Sequence, residues 1–262
     1  MASSTSRAES SGFRQRFIAR EQLIGTFIKT PTTHAVEIVG ALGFDFVVID
    51  EEHAPFDRVT IDNALLAARA AGTAGIVRVA EPTPAKLLAV LDDGATGVLV
   101  PHVSSLAKAR EVTAACRYRG GRRGFSASPR AGGYGAVPMW EHVANSDAAV
   151  TVIAMIEDPE ALDEIDRIVA VDGLDGVFIG RGDLTVALGA ADANAPEVRA
   201  ACDRIIEAAN KAGKPVCVMV GSASESRPFL ALGASAFIVS SDQAFMRQAA
   251  QRALSEFAAS AA

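Results

Sequence analysis

Met155-Ile156-Glu157-Asp158-Pro159-Glu160-Ala161-Leu162 opens a stretch that Gly176-Val177-Phe178-Ile179-Gly180-Arg181-Gly182-Asp183-Leu184 closes. The apolar run Val150 to Ile156 delivers Glu157. Leu162, Ile165, Ile168 and Val169 follow at helical spacing, and a second apolar run, Gly176 to Ile179, leads to Asp183. Strand, helix and strand in one sheet make a right-handed parallel crossover. Both carboxylates therefore emerge at the same edge of a parallel sheet, where a pair of oxygen anions can seat a hard divalent cation.

The same alternation repeats outward from this unit. Strands are predicted at Leu23 to Ile28, Phe46 to Ile49, Gly75 to Val79, Gly97 to Val100, Val150 to Ile156, Gly176 to Ile179, Pro215 to Val220 and Ala236 to Val239. Helical patterns lie between them: Thr33 to Leu42, Ile61 to Ala71, Pro84 to Leu91, Leu106 to Cys116, Pro159 to Ala170, Pro196 to Ala212 and Glu225 to Leu232. Glycine recurs just past the helices, at Gly43, Gly72, Gly94, Gly213 and Gly233, where a left-handed residue closes a helix. Eight parallel strands with intervening helices specify an α/β fold, the (β/α)8 TIM barrel. An open doubly wound sheet is the alternative, but no Gly-x-Gly-x-x-Gly follows a strand.

No Pro/Gly/Ser-rich linker interrupts the pattern, so residues 13–262 read as one barrel domain and residues 1–12 as a disordered tail. Phe13 to Gln22 is expected to be a short helix closing the barrel's bottom, and Asp242 to Phe257 a final helix. The connection from Arg117 to Ser146 is long for a βα unit and carries Arg117, Arg119, Arg122, Arg123 and Arg130. These arginines are expected to divide between a solvated loop and an interface.

Half of the residues are apolar and 6% aromatic, as suits strands buried on both faces. A net charge of −6 leaves no basic footprint for nucleic acid. Cys116, Cys202 and Cys217 lack metal-type spacing and read as reduced thiols of a cytoplasmic protein. No membrane-spanning run and no signal-peptide core is present in the sequence.

In a barrel of this kind chemistry is built at the carboxyl ends of the strands. The residues there are Lys29, Asp50 to His53, Arg78, His102, Glu157, Arg181 with Asp183, Met219, and Ser240 with Ser241. Glu157 and Asp183 supply oxygen ligands without His or Cys, which suits Mg²⁺ or Mn²⁺ better than zinc and leaves positions for water and a bidentate substrate. The alternative for either carboxylate is an N-cap or a solvated loop acid. Gly180-Arg181-Gly182 allows successive amides to turn inward as a nest for a small carboxylate. His53 is suited to proton abstraction near neutrality, with Asp50 three residues before it to orient the ring. Arg78 could set a fixed positive charge beside a developing enolate oxygen, or simply pair with Asp50 or Glu52.

Together these residues resemble the HpcH/HpaI aldolase family, metal-dependent enzymes of the 4-hydroxy-2-oxoheptanedioate aldolase type within the phosphoenolpyruvate/pyruvate-like barrels. The resemblance rests on Asp50-Glu51-Glu52-His53-Ala54-Pro55, Arg78, Val98-Leu99-Val100-Pro101, Arg123-Gly124, Arg130-Ala131, Tyr134-Gly135, Ile156-Glu157, and Gly176 to Gly180 with Asp183-Leu184, and covers roughly Leu23 to Asp242. It implies reversible cleavage of 4-hydroxy-2-oxo acids to pyruvate or a related 2-oxo acid and an aldehyde, through an enolate that a divalent metal (Mg²⁺, Mn²⁺ or Co²⁺) stabilises. By resemblance Glu157 and Asp183 bind the metal and Arg78 contacts the 2-oxo oxygen. His53 and Asp50 form a proton-handling dyad through a water, and amides at Gly182 and Asp183 hold the carboxylate. It further implies a homohexamer, a trimer of dimers, in which Asp92 reaches an adjacent subunit's site. Arg181 stands where the family usually has Pro and is a candidate for the substrate carboxylate or an interface. Met155 replaces a polar contact that some members carry.

Three rival readings remain at this level. One is a Schiff-base aldolase using Lys29, another a citrate-lyase-like enzyme gripping an acyl-CoA through the Arg117 to Arg130 cluster. The third is a non-catalytic barrel that binds a 2-oxo acid.

Overall fold

A computed structural model describes residues 12–260; all but the last residue of the expected tail lies outside them. Eight parallel strands close into a barrel in sequence order: β1 (Leu23–Ile28), β2 (Phe46–Asp50), β3 (Ala74–Arg78), β4 (Gly97–Val100), β5 (Thr151–Ile156), β6 (Gly176–Ile179), β7 (Val216–Val220) and β8 (Ala236–Ser241). The helices around it are α1 (Phe13–Ile18), α2 (Thr33–Leu42), α3 (Arg58–Ala70), α4 (Pro84–Asp92), α5 (Leu106–Cys116), α6 (Met139–Ala149), α7 (Ala161–Val169), α8 (Arg181–Ala187), α9 (Pro196–Lys211), α10 (Ala223–Ala231) and α11 (Asp242–Ser260). Helix starts follow side-chain chemistry. Thr32, Asp57, Thr83, Ser105 and Ser222 each accept a backbone N–H of the first turn.

The strands are buried on both faces, so two cores form. Their outward side chains pack with the helices; their inward ones, with Phe13 and Phe17 of α1, fill the barrel. Phe13 lies against Phe46, ring centroids 5.4 Å apart, and plugs the bottom as expected. Asp175, just before β6, ties that end together: it accepts from Arg14, Arg117 and the Val152 N–H.

That network revises the reading of the arginine-rich connection. Arg117 and Arg123 are buried, Arg117 bonded to Asp175 and to the Val150 and Gly173 carbonyls, Arg123 to Asp92. Arg130 pairs with Asp62. Those three are structural cations of this chain's own shell, whereas Arg119 and Arg122 are exposed. The connection also contains α6 and a short 3-10 turn at Arg130–Gly135.

All three cysteines are free and buried. Burial pushes the Cys116 and Cys202 thiols up to about 12 and about 11, so they stay protonated. Among the described residues no helix is long and apolar enough to cross a membrane.

Candidate active site

The register of the barrel decides which strand-end residues meet. Asp50 and Arg78 are cross-strand partners at the tops of β2 and β3. Ile156 pairs with Ile179, which puts Glu157 and Gly180 abreast one residue further on. Gly180 is required there: a Cβ would lie 2.6 Å from the Glu157 Cβ and 3.0 Å from the Met155 methyl. Asp183 follows on the exposed first turn of α8. The amides of Gly182 and Asp183 thus belong to a helix start, not to the glycine nest expected from the sequence.

Between these strand ends lies a cavity of about 410 Å³. Phe27 and Phe178 meet edge to face at its base, and Lys29, His53, Arg78, Met155, Asp183 and Ser240 line it. A larger cleft of about 880 Å³ lies between the ends of α5 and α7, beside Arg110, Arg117 and Asp172; it contains none of the strand-end acids.

Glu157 is 2% exposed, and its Oε1 accepts the His102 N–H at 2.9 Å. Burial and the adjacent Asp183 carboxylate push its carboxyl up to about 7. Two acids held this close repel each other once ionised, and a divalent cation between them removes that repulsion. The donor set therefore fits a hard cation. Among the described residues no group of three or more His, Cys, Asp or Glu could hold a metal ion; Glu157 and Asp183 alone would leave positions for water and substrate.

Arg78 is 5% exposed and held from two sides. Its Nε and Nη2 donate to Asp50 at 2.9 and 2.8 Å, and its Nη1 lies 3.1 Å from Glu52. The guanidinium carbon sits 4.8 Å over the Phe27 ring. Burial opposes the Asp50 charge, but Arg78 and then Lys29, whose Nζ is 2.8 Å away, outweigh it and hold the carboxyl below its ordinary value.

These contacts leave the expected dyad without a direct side-chain contact. Asp50 meets His53 only through the His53 backbone N–H, at 3.2 Å. The His53 ring stands at the rim, with its side chain 56% exposed and Nε2 3.8 Å from Glu52. Asp50 cannot orient that imidazole because its oxygens are occupied by Arg78 and Lys29. Arg181 too has partners within the chain. Its guanidinium donates to the Met219 carbonyl and to Glu225 and lies 5.0 Å over the Phe229 ring, so it clamps α10 at the edge of the cavity. Asp92 ends α4 just before β4, at the foot of the barrel, where Arg123 holds it.

His102 was on the strand-end list without a role, and the structure gives it one. A left-handed backbone, φ 53°, turns its ring back to Asp158 (3.2 Å) and Glu157 (3.4 Å). Burial opposes charge on the ring, yet Asp158, Glu157 and Glu52 outweigh it and favour imidazolium.

A parallel barrel with a buried Glu157 beside Asp183 at the ends of β5 and β6, facing a braced arginine at β3, defines a lyase-type site on a TIM barrel. The chain belongs to the HpcH/HpaI aldolase/citrate lyase family, whose pattern matches residues 23–249. It is 35% identical over 247 residues to a 5-keto-4-deoxy-D-glucarate aldolase of Enterobacter sp. (strain 638), covering 94% of this chain and 96% of that protein. Among solved structures it resembles an HpcH/HpaI aldolase/citrate lyase family protein from Burkholderia cenocepacia J2315, with TM-score 0.89 and 30% identity over 94% of this chain and 99% of that one. It also resembles the citrate synthase SbnG, with TM-score 0.87 and 29% identity over 95% and 98%. The chain is an aldolase-type enzyme.

Proposed function

We propose that this enzyme is a divalent-metal-dependent aldolase that reversibly cleaves 4-hydroxy-2-oxo acids to pyruvate, or a close 2-oxo acid, and an aldehyde. The observation that carries this reading is the Glu157 and Asp183 pair beside a cavity that also holds Arg78. The relative's substrate fits the class. Read from its keto end, 5-keto-4-deoxy-D-glucarate is a 4-hydroxy-2-oxo acid with a second carboxylate at the far end.

Glu157 and Asp183 would hold a Mg²⁺, Mn²⁺ or Co²⁺ ion. The bound ion supplies Lewis-acid polarisation of the 2-oxo carbonyl. Arg78, fixed by Asp50 and Glu52, sets a permanent positive charge toward the oxygen that becomes negative as the C3–C4 bond breaks. The amides of Gly182 and Asp183 receive the substrate carboxylate. His53, at the rim of the cavity, takes the C4 hydroxyl proton as the aldehyde forms and returns a proton to C3, leaving pyruvate. Asp50 acts on this chemistry through Arg78 and not through the imidazole. In a homohexamer, Asp92 at the barrel's foot would be directed at a neighbour's mouth, because it lies at the opposite end from its own.

The Schiff-base rival is disfavoured by the Lys29 to Asp50 ion pair, since an ammonium held by a carboxylate has no free lone pair for a carbonyl. The test is pyruvate release from a panel of 4-hydroxy-2-oxo acids by chelator-stripped protein, with Mg²⁺, Mn²⁺ and Co²⁺ added back singly. Restored turnover is expected. Metal-independent turnover with pyruvate trapped on Lys29 by borohydride would overturn the proposal, as would acyl-CoA thioester cleavage in place of aldol cleavage.

A further inference from the structure

The cleft of about 880 Å³ between α5 and α7 shares no residue with the cavity at the mouth. It follows one face of α5. Leu106, Arg110, Thr113 and Arg117 line it at spacings of four, three and four, so the groove runs roughly 16 Å along the helix axis. The chain as a whole carries a net charge of −6, yet four arginines converge here: Arg110 from α5, Arg117 just past its end, Arg119 from the loop that follows, and Arg167 from α7. Asp147 and Asp172 are the two acids in the same wall.

The four cations are not equivalent. Arg117 is buried and spent, its nitrogens donating to the Val150 and Gly173 carbonyls and to Asp175, and it forms the floor. Arg167 donates to Glu164 at 3.0 Å on the exposed side. Arg110 and Arg119 are exposed, and neither guanidinium has a partner among the described residues. The backbone under Arg119 is nevertheless fixed. Its N–H and that of Tyr118 donate to the two oxygens of Asp147 at 3.0 and 2.9 Å, which turns that carboxylate to the main chain and leaves the guanidinium unpaired. Thr113, in the wall between Arg110 and Arg117, adds an independent sign. It is 4% exposed and its hydroxyl has no hydrogen-bond partner among the described residues, a condition that calls for a polar group from outside the chain.

We propose that this cleft binds a phosphate ester, a small metabolite that carries a dianionic phosphate and no stacking base. The donors come from three segments: α5, the loop after it and α7. A tetrahedral phosphate offers three terminal oxygens to donors from separate directions, whereas a planar carboxylate offers two in one plane, and guanidinium forks suit the phosphate edge. Its double charge also outweighs Asp172, the acid of the wall that no hydrogen bond engages among the described residues. No aromatic side chain lines the cleft, so a nucleotide base would find no ring to stack on. Leu106, Ala114, Ala170 and Val171 leave an aliphatic wall for a short carbon body. The site is separate from the reaction at the mouth and stands whether or not that reaction is an aldol cleavage.

The test is calorimetric titration of the full chain, free of divalent metal and at constant ionic strength, with glycerol 1-phosphate and with succinate, a dianion built from carboxylates. Glycerol 1-phosphate is expected to bind with a stoichiometry of one, and more tightly than succinate. Arg110→Gln and Arg119→Gln should each weaken it roughly tenfold, the low end for hydrogen bonds to a charged group, and together abolish measurable binding. Thr113→Val should weaken it a few-fold and raise the melting temperature of the free protein, because it removes the unpartnered hydroxyl. Arg122→Gln, exposed and outside the cleft, should leave the isotherm unchanged. Should either glutamine variant fail to fold, Arg110→Lys and Arg119→Lys, which keep the charge and lose the fork, carry the same test with a smaller loss. Absence of saturable binding at millimolar phosphate ester overturns the inference. So does binding that survives in the double variant, which would place the ligand at the mouth, and an equal loss in Arg122→Gln, which would mean attraction by the general surface charge only. Succinate binding at least as tightly, and lost in the same double variant, would refute the assignment to phosphate.

Discussion

Replacing Glu157 by Gln tests the electrostatics of the acid pair before any substrate is added. Gln retains an oxygen for the His102 N–H and nearly the same volume, but it cannot carry the negative charge that burial and Asp183 disfavour. Raising the carboxyl from an ordinary 4.5 to about 7 costs about 3 kcal/mol of stability once the group is ionised in both states. The sign follows from proton binding. Below pH 4.5 Glu157 is protonated folded and unfolded, and no penalty exists. Between 4.5 and 7 the folded protein retains a proton that the unfolded chain releases, so the penalty grows with pH, reaching its full value above 7. In chelator, Glu157→Gln should therefore match wild type near pH 4.5 and exceed it at pH 8 by about 3 kcal/mol, or on the order of 6–12 °C in melting temperature. Mn²⁺ at pH 8 should raise the melting temperature of wild type and hardly move the variant. Urea or thermal unfolding at the two pH values, with chelator and with Mn²⁺, gives all four comparisons. A stability difference independent of pH, or an equal Mn²⁺ shift in both proteins, would refute the reasoning.

Gly180→Ala drives a methyl into the Glu157 Cβ and should abolish metal-stimulated turnover while the circular dichroism spectrum stays barrel-like. Arg78→Lys loses the fork that engages Asp50 and Glu52 together; kcat should fall by roughly a hundredfold or more with a smaller change in KM, measured as pyruvate release. Arg181→Ala should lower thermal stability by about 1–2 kcal/mol through lost contacts to Glu225 and Phe229, yet leave KM for the 2-oxo acid within a few-fold; a large KM rise would return Arg181 to substrate binding. Asp50→Asn should reproduce much of the Arg78→Lys loss in kcat, measured as pyruvate release, because Asp50 serves the guanidinium.

The barrel was legible because its strands are apolar runs of the right length: β1, β4 and β6 begin and end where the hydrophobicity does. Two helices were not. α6 buries only His142 and Val143, so the pattern lacks the apolar stripe that announces a helix, and α8 starts on Gly180-Arg181-Gly182, residues that read as a turn. The acids of the site were legible as strand ends, but their partners were not. Proximity in sequence suggested that Asp50 serves His53, whereas register delivers Arg78 to it from the next strand. Arg181 looked like a free cation because Glu225 and Phe229, which capture it, lie on a helix about forty residues later. The contribution of His102 depends on a left-handed turn that residue identity does not announce.

The pairing of Asp50 with Arg78 and Lys29 also changes how the mouth is organised. Had Asp50 turned to His53, Lys29 would have lost its carboxylate and Arg78 one of its two, above an aromatic floor. Instead a fully buried carboxylate holds them on the β1 to β3 side, while Glu157, Asp158 and Asp183 gather around the single imidazole of His102 on the β5 to β6 side. The mouth is thus polarised before anything binds. A divalent cation is drawn to one side, and the anionic groups of a substrate bridge from that cation toward the other. In such a site the orientation of a 2-oxo acid follows from the charge distribution, and loss of Asp50 should scramble orientation as well as slow the reaction.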